Sequence, residues 1–264
     1  MISRRALLAA PLLLQAADKP PTESVKSETV EGFKKYVAQR EHAIQRERTQ
    51  GRHFLWADEA PGRRDQIQAG EILVVPVVGK GTAEVKGGLV HDWLGAAFLP
   101  RTTLSEVLGL VQNYDNHRNI YQPEVTASKV LERHGDRFRI HLRLLKKKII
   151  TVVLNTEHEV RYFSLDSHRV HSRSATTRIA EVDDPGTPQE RELPPGEDHG
   201  FLWRLNTYWR FLQRDGGVWI ECEAISLTRG IPFALGWLIS PIVRELPRES
   251  LESTLEATRR ALAR

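Results

Sequence analysis

Glu221 and Glu223 invite a chemical reading first, because two carboxylates this close can divide the acid and base roles of a catalyst when their surroundings push their pKa values apart. Their neighbours argue otherwise. Asp215-Gly216-Gly217 is a hairpin signal, and the stretch from Val218 to Ile225 has strand composition. An even-length turn sets Arg210 opposite Glu221, Tyr208 opposite Glu223 and Trp209 opposite Cys222. One face then carries Trp203, Leu205, Thr207, Trp209, Phe211, Val218, Ile220, Cys222 and Ala224, and the other carries Arg204, Asn206, Tyr208, Arg210, Glu221 and Glu223. A one-residue slip would put Trp209 against Glu223 and mix the two sets. The segregating register places both carboxylates in a solvated cross-strand network on the outer face.

Other reactive residues form no recognisable constellation. His158 and the pair His168-x-x-His171 lack an H-E-x-x-H frame, and Cys222 is the single cysteine, so the expectation is no metal and no disulfide. Gly79-Lys80-Gly81 is not a phosphate-binding loop and no G-x-S-x-G elbow occurs, so no cofactor is expected. His141, Arg143 and Tyr208 are the titratable candidates for a reaction, but no motif joins them. No catalytic residue is assigned. Lys146-Lys147-Lys148 reads as a solvated turn, with a lipid-headgroup contact as the second reading.

The elements that hold these residues follow from pattern. The chain has 264 residues, 40% hydrophobic and 27% charged, enough for a sizeable core. Its net charge of +4 includes Arg4 and Arg5 of an apparent leader and gives no case for a nucleic-acid partner. Residues 1–17 have the form of a secretory signal, with a twin-arginine variant suggested by Arg4-Arg5, so export to the periplasm or outside the cell is expected. Residues 18–66 read as a charged helical segment in which Val30, Phe33, Val37 and Ile44 make a thin apolar stripe. It is expected to dock outside the main domain, residues 67–264.

In that domain, strands are expected at Ile72–Val75 and Leu89–Leu99, then a short helix over Thr103–Val111. An antiparallel meander follows through Thr126–Glu132, Phe138–Leu145, Ile149–Tyr162 and Arg169–Val182. Residues 183–200 read as a long loop before the last hairpin, Phe201–Leu212 and Val218–Ile225. Ile231 to Val243 is apolar but broken by Pro232 and Pro241, and it must join the core, touch a membrane or gate a ligand. A helix is expected from Pro247, with Leu251, Leu255, Thr258 and Leu262 on one face.

This order resembles the START-like superfamily, also called SRPBCC or helix-grip, over about residues 89–264. The resemblance rests on Asp92-Trp93, Tyr114-Asp115, Tyr121-Gln122-Pro123, the stretch from Trp203 to Arg210, the Gly216-Gly217 turn and the run Pro232…Trp237…Pro247. It implies an α+β fold, a curved antiparallel sheet wrapped around a long C-terminal helix. It also implies an internal site for a lipid, sterol, polyketide or other hydrophobic molecule, sometimes with cyclase or hydrolase chemistry. Trp203, Thr207, Trp209, Phe211, Ile220, Phe233 and Trp237 are the expected ligand-binding residues, although inward aromatics equally serve a plain core. Two functions are carried forward: non-catalytic binding or transport of a hydrophobic molecule, with transient membrane contact, or a cyclase- or hydrolase-like enzyme on such a substrate. The oligomeric state is left open.

Overall fold

A computed structural model describes residues 24–50, 53–148, 150–194, 196–230 and 236–263, and the side chains of all these except 48–50 and 236–244. The leader expected at 1–17 and the position Phe233 lie outside the described residues, as does the side chain of Trp237.

The expected α+β architecture is the one found. Ten strands form one antiparallel sheet: β1 (Leu73–Pro76), β2 (Thr82–Val85), β3 (Gly88–Pro100), β4 (Val125–His134), β5 (Arg137–Lys147), β6 (Thr151–Ser164), β7 (Arg169–Asp183), β8 (Arg191–Glu192), β9 (Arg204–Arg214) and β10 (Gly217–Arg229). The order across the sheet is β1-β3-β10-β9-β7-β6-β5-β4, with β2 also on β3 and β8 on β7. β8 is a short strand inside the region expected to be all loop. Bulges interrupt β4 and β7 where pairing slips by a residue, and such insertions bend a strand.

The last hairpin takes the expected register: Arg210 pairs with Glu221, Trp209 with Cys222 and Tyr208 with Glu223. Asp215 (φ 59°) and Gly216 (φ 75°) form its turn, the left-handed pair that a two-residue hairpin loop requires.

Among the described residues, five α-helices flank the sheet: α1 (Ser27–Gln50), α2 (Pro61–Gln68), α3 (Leu104–Val111), α4 (His117–Ile120) and α5 (Gly236–Leu262). Thr103 caps α3, accepting from the Glu106 backbone N–H at 3.3 Å while Glu106 accepts from the Thr103 N–H at 2.8 Å. Such a reciprocal cap is worth about 1 kcal/mol. α5 differs from expectation at its start. It begins at Gly236, so Pro241 lies inside the helix rather than before it, and Pro247 lies in its interior rather than in its first turn. A proline removes one backbone hydrogen bond, yet the helix continues through both positions. Further along, the Ser250, Thr254 and Thr258 hydroxyls donate to the carbonyls of Leu246, Ser250 and Thr254.

α5 lies on the concave face, where Leu251 and Leu255 are buried against Trp93, Ala97, Ile220 and Cys222. Burying each leucine contributes about 1.5–3 kcal/mol. Gly95 permits this approach, since a Cβ there would stand 2.6 Å from Leu255 Cδ1 and 3.1 Å from Leu251 Cγ.

The convex face is also covered. Phe33, Val37 and Ile44 of α1 pack on Val90, Tyr208, Ile225 and Leu227, while Leu55, Ala57 and Ile67 pack on Ala96, Phe98, Leu212 and Trp219. β3 is therefore buried from Gly88 to Leu99 without alternation, the pattern of a strand covered on both sides.

Candidate functional site on the concave face

Strand pairing lays the concave side chains out in rows. One row runs Trp93, Ala224, Thr207, Ser174, Val160 and Phe138, and the next runs Gly95, Cys222, Trp209, Ser172 and Tyr162. A third carries Ala97, Ile220, Phe211 and Val170. The third row continues into a dense apolar cluster with Leu104, Val107 and Val111 of α3. The Trp209 and Phe211 rings stack, with centroids 5.8 Å apart and planes 2° apart.

The other end of the face is rich in hydroxyls. Ser172 and Ser174 are buried, Thr207 is half-buried, and Thr156 receives or donates a 2.9 Å hydrogen bond with His158 Nε2. Burial pushes the His158 pKa down to about 4, and the nearby His141 acts the same way, so this imidazole is neutral near pH 7. At the α3 side, the Tyr114 and Tyr162 hydroxyls share a 2.8 Å hydrogen bond, and burial raises both pKa values. The face can bind apolar surface and exchange hydrogen bonds, and it presents no charged group to a ligand in its central rows.

Thr207, Trp209 and Ala224 decide what this surface is for. They occupy the two central strands and belong to the concave side, yet each remains partly exposed. A fully packed core would close over them, and here it does not.

The expected site residues divide accordingly. Thr207, Trp209, Phe211 and Ile220 come together on the concave face. Trp203 does not. It precedes β9, packs with Phe33 and Val37 on the convex side, and donates from Nε1 to Asp198 at 2.8 Å. Its backbone N–H bonds to Leu227 rather than continuing the alternation, which turns the ring to the other face.

Trp93 was missed by the sequence reading. It sits in the row of Ala224 and Thr207, and its Nε1 is buried with no hydrogen-bond partner among the described residues. Gly81 lies against the indole: a Cβ there would be 2.1 Å from the ring, and φ is +86°. Replacing Gly81 with alanine is expected to cost about 2–4 kcal/mol, from overpacking plus left-handed strain. Urea denaturation followed by tryptophan emission measures it, and an unchanged midpoint would contradict this packing.

The carboxylates need correction. Glu221 and Glu223 are on the convex face as expected, but they are only 2% exposed, not solvated. Glu223 accepts from Arg40 Nε at 2.9 Å and Nη2 at 2.8 Å. Glu221 accepts from the backbone N–H groups of Trp56 at 3.0 Å and Ala57 at 2.9 Å, with Arg210 at 3.5 Å. Asp92 joins them, taking the Tyr36 hydroxyl at 2.7 Å while Arg40 stands 3.8 Å away. Burial raises the Glu221 pKa to about 7 against the pull of Arg210. Burial, then the charge of Glu223, raises Asp92 to about 7. The cause is α1 and the turn at Trp56–Glu59, which cover a surface expected to face water.

His141, Arg143 and Tyr208, the candidates for chemistry, also project from the convex side, alternating with concave neighbours in β5 and β9. Arg143 pairs with Glu190 at 2.8 Å, and Tyr208 donates to Glu41 at 2.7 Å. Two depressions lie elsewhere. One of 380 Å³ at the hairpin end is lined by Arg101, His168, Gln213 and Arg214, and one of 130 Å³ lies between α3 and the last turn of α5. Arg214 is already held by Asp58 and Asp215.

A curved antiparallel sheet, closed by a C-terminal helix lying in its concavity, decides the fold. It is the helix-grip architecture. No protein-family profile matches the chain, and no curated protein matches it. Among solved structures, it is similar to TTHA0849 from Thermus thermophilus, at 16% identity and TM-score 0.47 over 65% of this chain and 96% of the other. It is similar to a fragment of a STAR-related lipid transfer protein from Xanthomonas axonopodis, at 18% identity and TM-score 0.46 over 69% and 98%. A third is the Zhui aromatase/cyclase from Streptomyces sp. R1128, at 13% identity and TM-score 0.41 over 66% and 91%. In this chain, α1 adds a layer outside the grip.

Proposed function

We propose that the protein binds or carries a hydrophobic small molecule or lipid between the concave face and α5, without chemistry of its own. The observation that carries this reading is the partial exposure of Thr207, Trp209 and Ala224 on central strands. Apolar walls with a few placed hydrogen-bonding groups are what small-molecule sites are made of. The leader at residues 1–17 supports export, so the carrier is proposed to work in the periplasm or outside the cell. The apolar run from Ile231 to Val243 is the proposed gate, with transient membrane contact during loading.

Two measurements test the proposal. Native mass spectrometry after gentle purification should show a co-purified apolar ligand. Titration with Nile red should be saturable near one equivalent, and Trp209→Ala should weaken it at least fivefold. A protein that is ligand-free and also fails to bind Nile red refutes the reading.

A further inference from the structure

We propose that the ligand is an uncharged amphiphile whose hydroxyl or carbonyl oxygen lodges in the row formed by Trp93, Thr207 and Ser174. This rests on the reading of the concave face as a binding surface. It adds the chemical class of what is bound.

Two observations converge on it. First, the row is chemically distinct from its surroundings. It sets Trp93, Thr207 and Ser174 in line across Ala224, on strands β3, β9 and β7, with Thr207 and Ser174 directly paired. Trp93 is 5% exposed and Ser174 9%, so these groups face little bulk water. The indole N–H has no partner among the described residues, and leaving such a donor unmatched in a buried site costs about 1–3 kcal/mol. A ligand oxygen accepting from it would recover that cost. Hydroxyls both donate and accept, so Thr207 and Ser174 suit an alcohol or a carbonyl.

Second, among the described residues, the strand register sends the cations of the central strands to the other face. Arg161, Arg173 and Arg210 alternate with the concave residues Val160, Ser174 and Trp209. Those that approach the concave side do so at its rim: Arg133 lies over the Phe138 ring at 4.8 Å, and Lys146 pairs with Glu124. His158 is buried and neutral near pH 7. An ionised headgroup placed in the row would therefore be buried without a counter-charge, which is expensive.

The test uses the full-length protein and two probes of equal chain length, 1-dodecanol and dodecanoate, each displacing Nile red at pH 8. The expected result is displacement by 1-dodecanol at a concentration at least tenfold below that needed for dodecanoate. Thr207→Val, which keeps the side-chain shape, should raise the 1-dodecanol concentration at least threefold while shifting that of dodecanoate less, and Ser174→Ala should act in the same direction. Retained Nile red binding shows that each variant is folded. Equal or tighter binding of dodecanoate overturns the inference while leaving the binding face intact. If Nile red binds and Thr207→Val and Ser174→Ala leave both probes unmoved, the row is not where the oxygen sits, and the inference fails. If neither Nile red nor either probe binds, the reading of the face fails and takes the inference with it.

Discussion

Replacing Arg40 with alanine should destabilise the protein by about 3 kcal/mol, the usual scale for removing one partner of a buried ion pair. Arg40 makes two hydrogen bonds to Glu223 and stands 3.8 Å from Asp92, while both acids are almost wholly buried. Without the guanidinium, two carboxylates 2% and 0% exposed face each other with no cation from α1. The helix should loosen first, because its apolar hold is thin: Phe33, Val37 and Ile44 are its buried anchors. Denaturant melts give the loss, and hydrogen exchange along residues 27–47 shows where it begins. Adding Glu223→Gln to Arg40→Ala should recover part of the loss, because the stranded charge is gone. A loss under about 0.5 kcal/mol would mean that the pair contributes nothing beyond a surface bridge.

Asp92→Asn should have the second large effect, visible as a change in pH dependence. The folded pKa of Asp92 is raised from 3.8 to about 7, chiefly by burial and then by Glu223. The folded protein therefore holds a proton that the unfolded chain releases between those values. Its contribution to stability is fully present below about pH 4 and is lost as pH rises through about 7. The steepest part of that loss is about 1.4 kcal/mol per pH unit for one group. Asparagine keeps an acceptor for the Tyr36 hydroxyl and carries no charge. The variant should therefore be more stable than the parent at pH 8, by about 1–3 kcal/mol, with the advantage shrinking toward pH 4. His158, held at about 4 by burial, works with the opposite sign: its contribution is present above about pH 6.5 and lost as pH falls through about 4. The difference between parent and variant removes that shared background. Parallel stability curves from pH 4 to 8 would show that Asp92 is not protonated in the fold.

These two residues also mark where the sequence could be read and where it could not. The hairpin register was legible because Asp215-Gly216 fixes a two-residue turn and the alternating residues then admit one segregated pairing. Thr207, Trp209, Phe211 and Ile220 followed from it. The burial of Glu221 and Glu223 was not legible, because their cover comes from Arg40, Trp56 and Ala57, more than 160 positions away along the chain. The signal that existed was Tyr36 and Arg40 beside the Phe33–Val37–Ile44 stripe, polar groups placed to reach the same surface. Trp93 escaped because β3 is buried on both faces, so alternation could not say which side its ring takes. The start of α5 escaped because Pro241 read as a break and Pro247 as a first-turn proline, whereas the helix runs through both.

The buried carboxylates and the proposed binding face thus lie on opposite sides of one sheet, and the two sides answer to different solution variables. Added salt screens the exposed members of the α1 seam, such as Arg173 with Glu41 and Lys86 with Glu28, over about 8–10 Å at physiological strength. It has little to act on in the Trp93–Thr207–Ser174 row. Ionic strength should therefore tune how firmly the outer helix is held while leaving the occupancy of the grip almost constant.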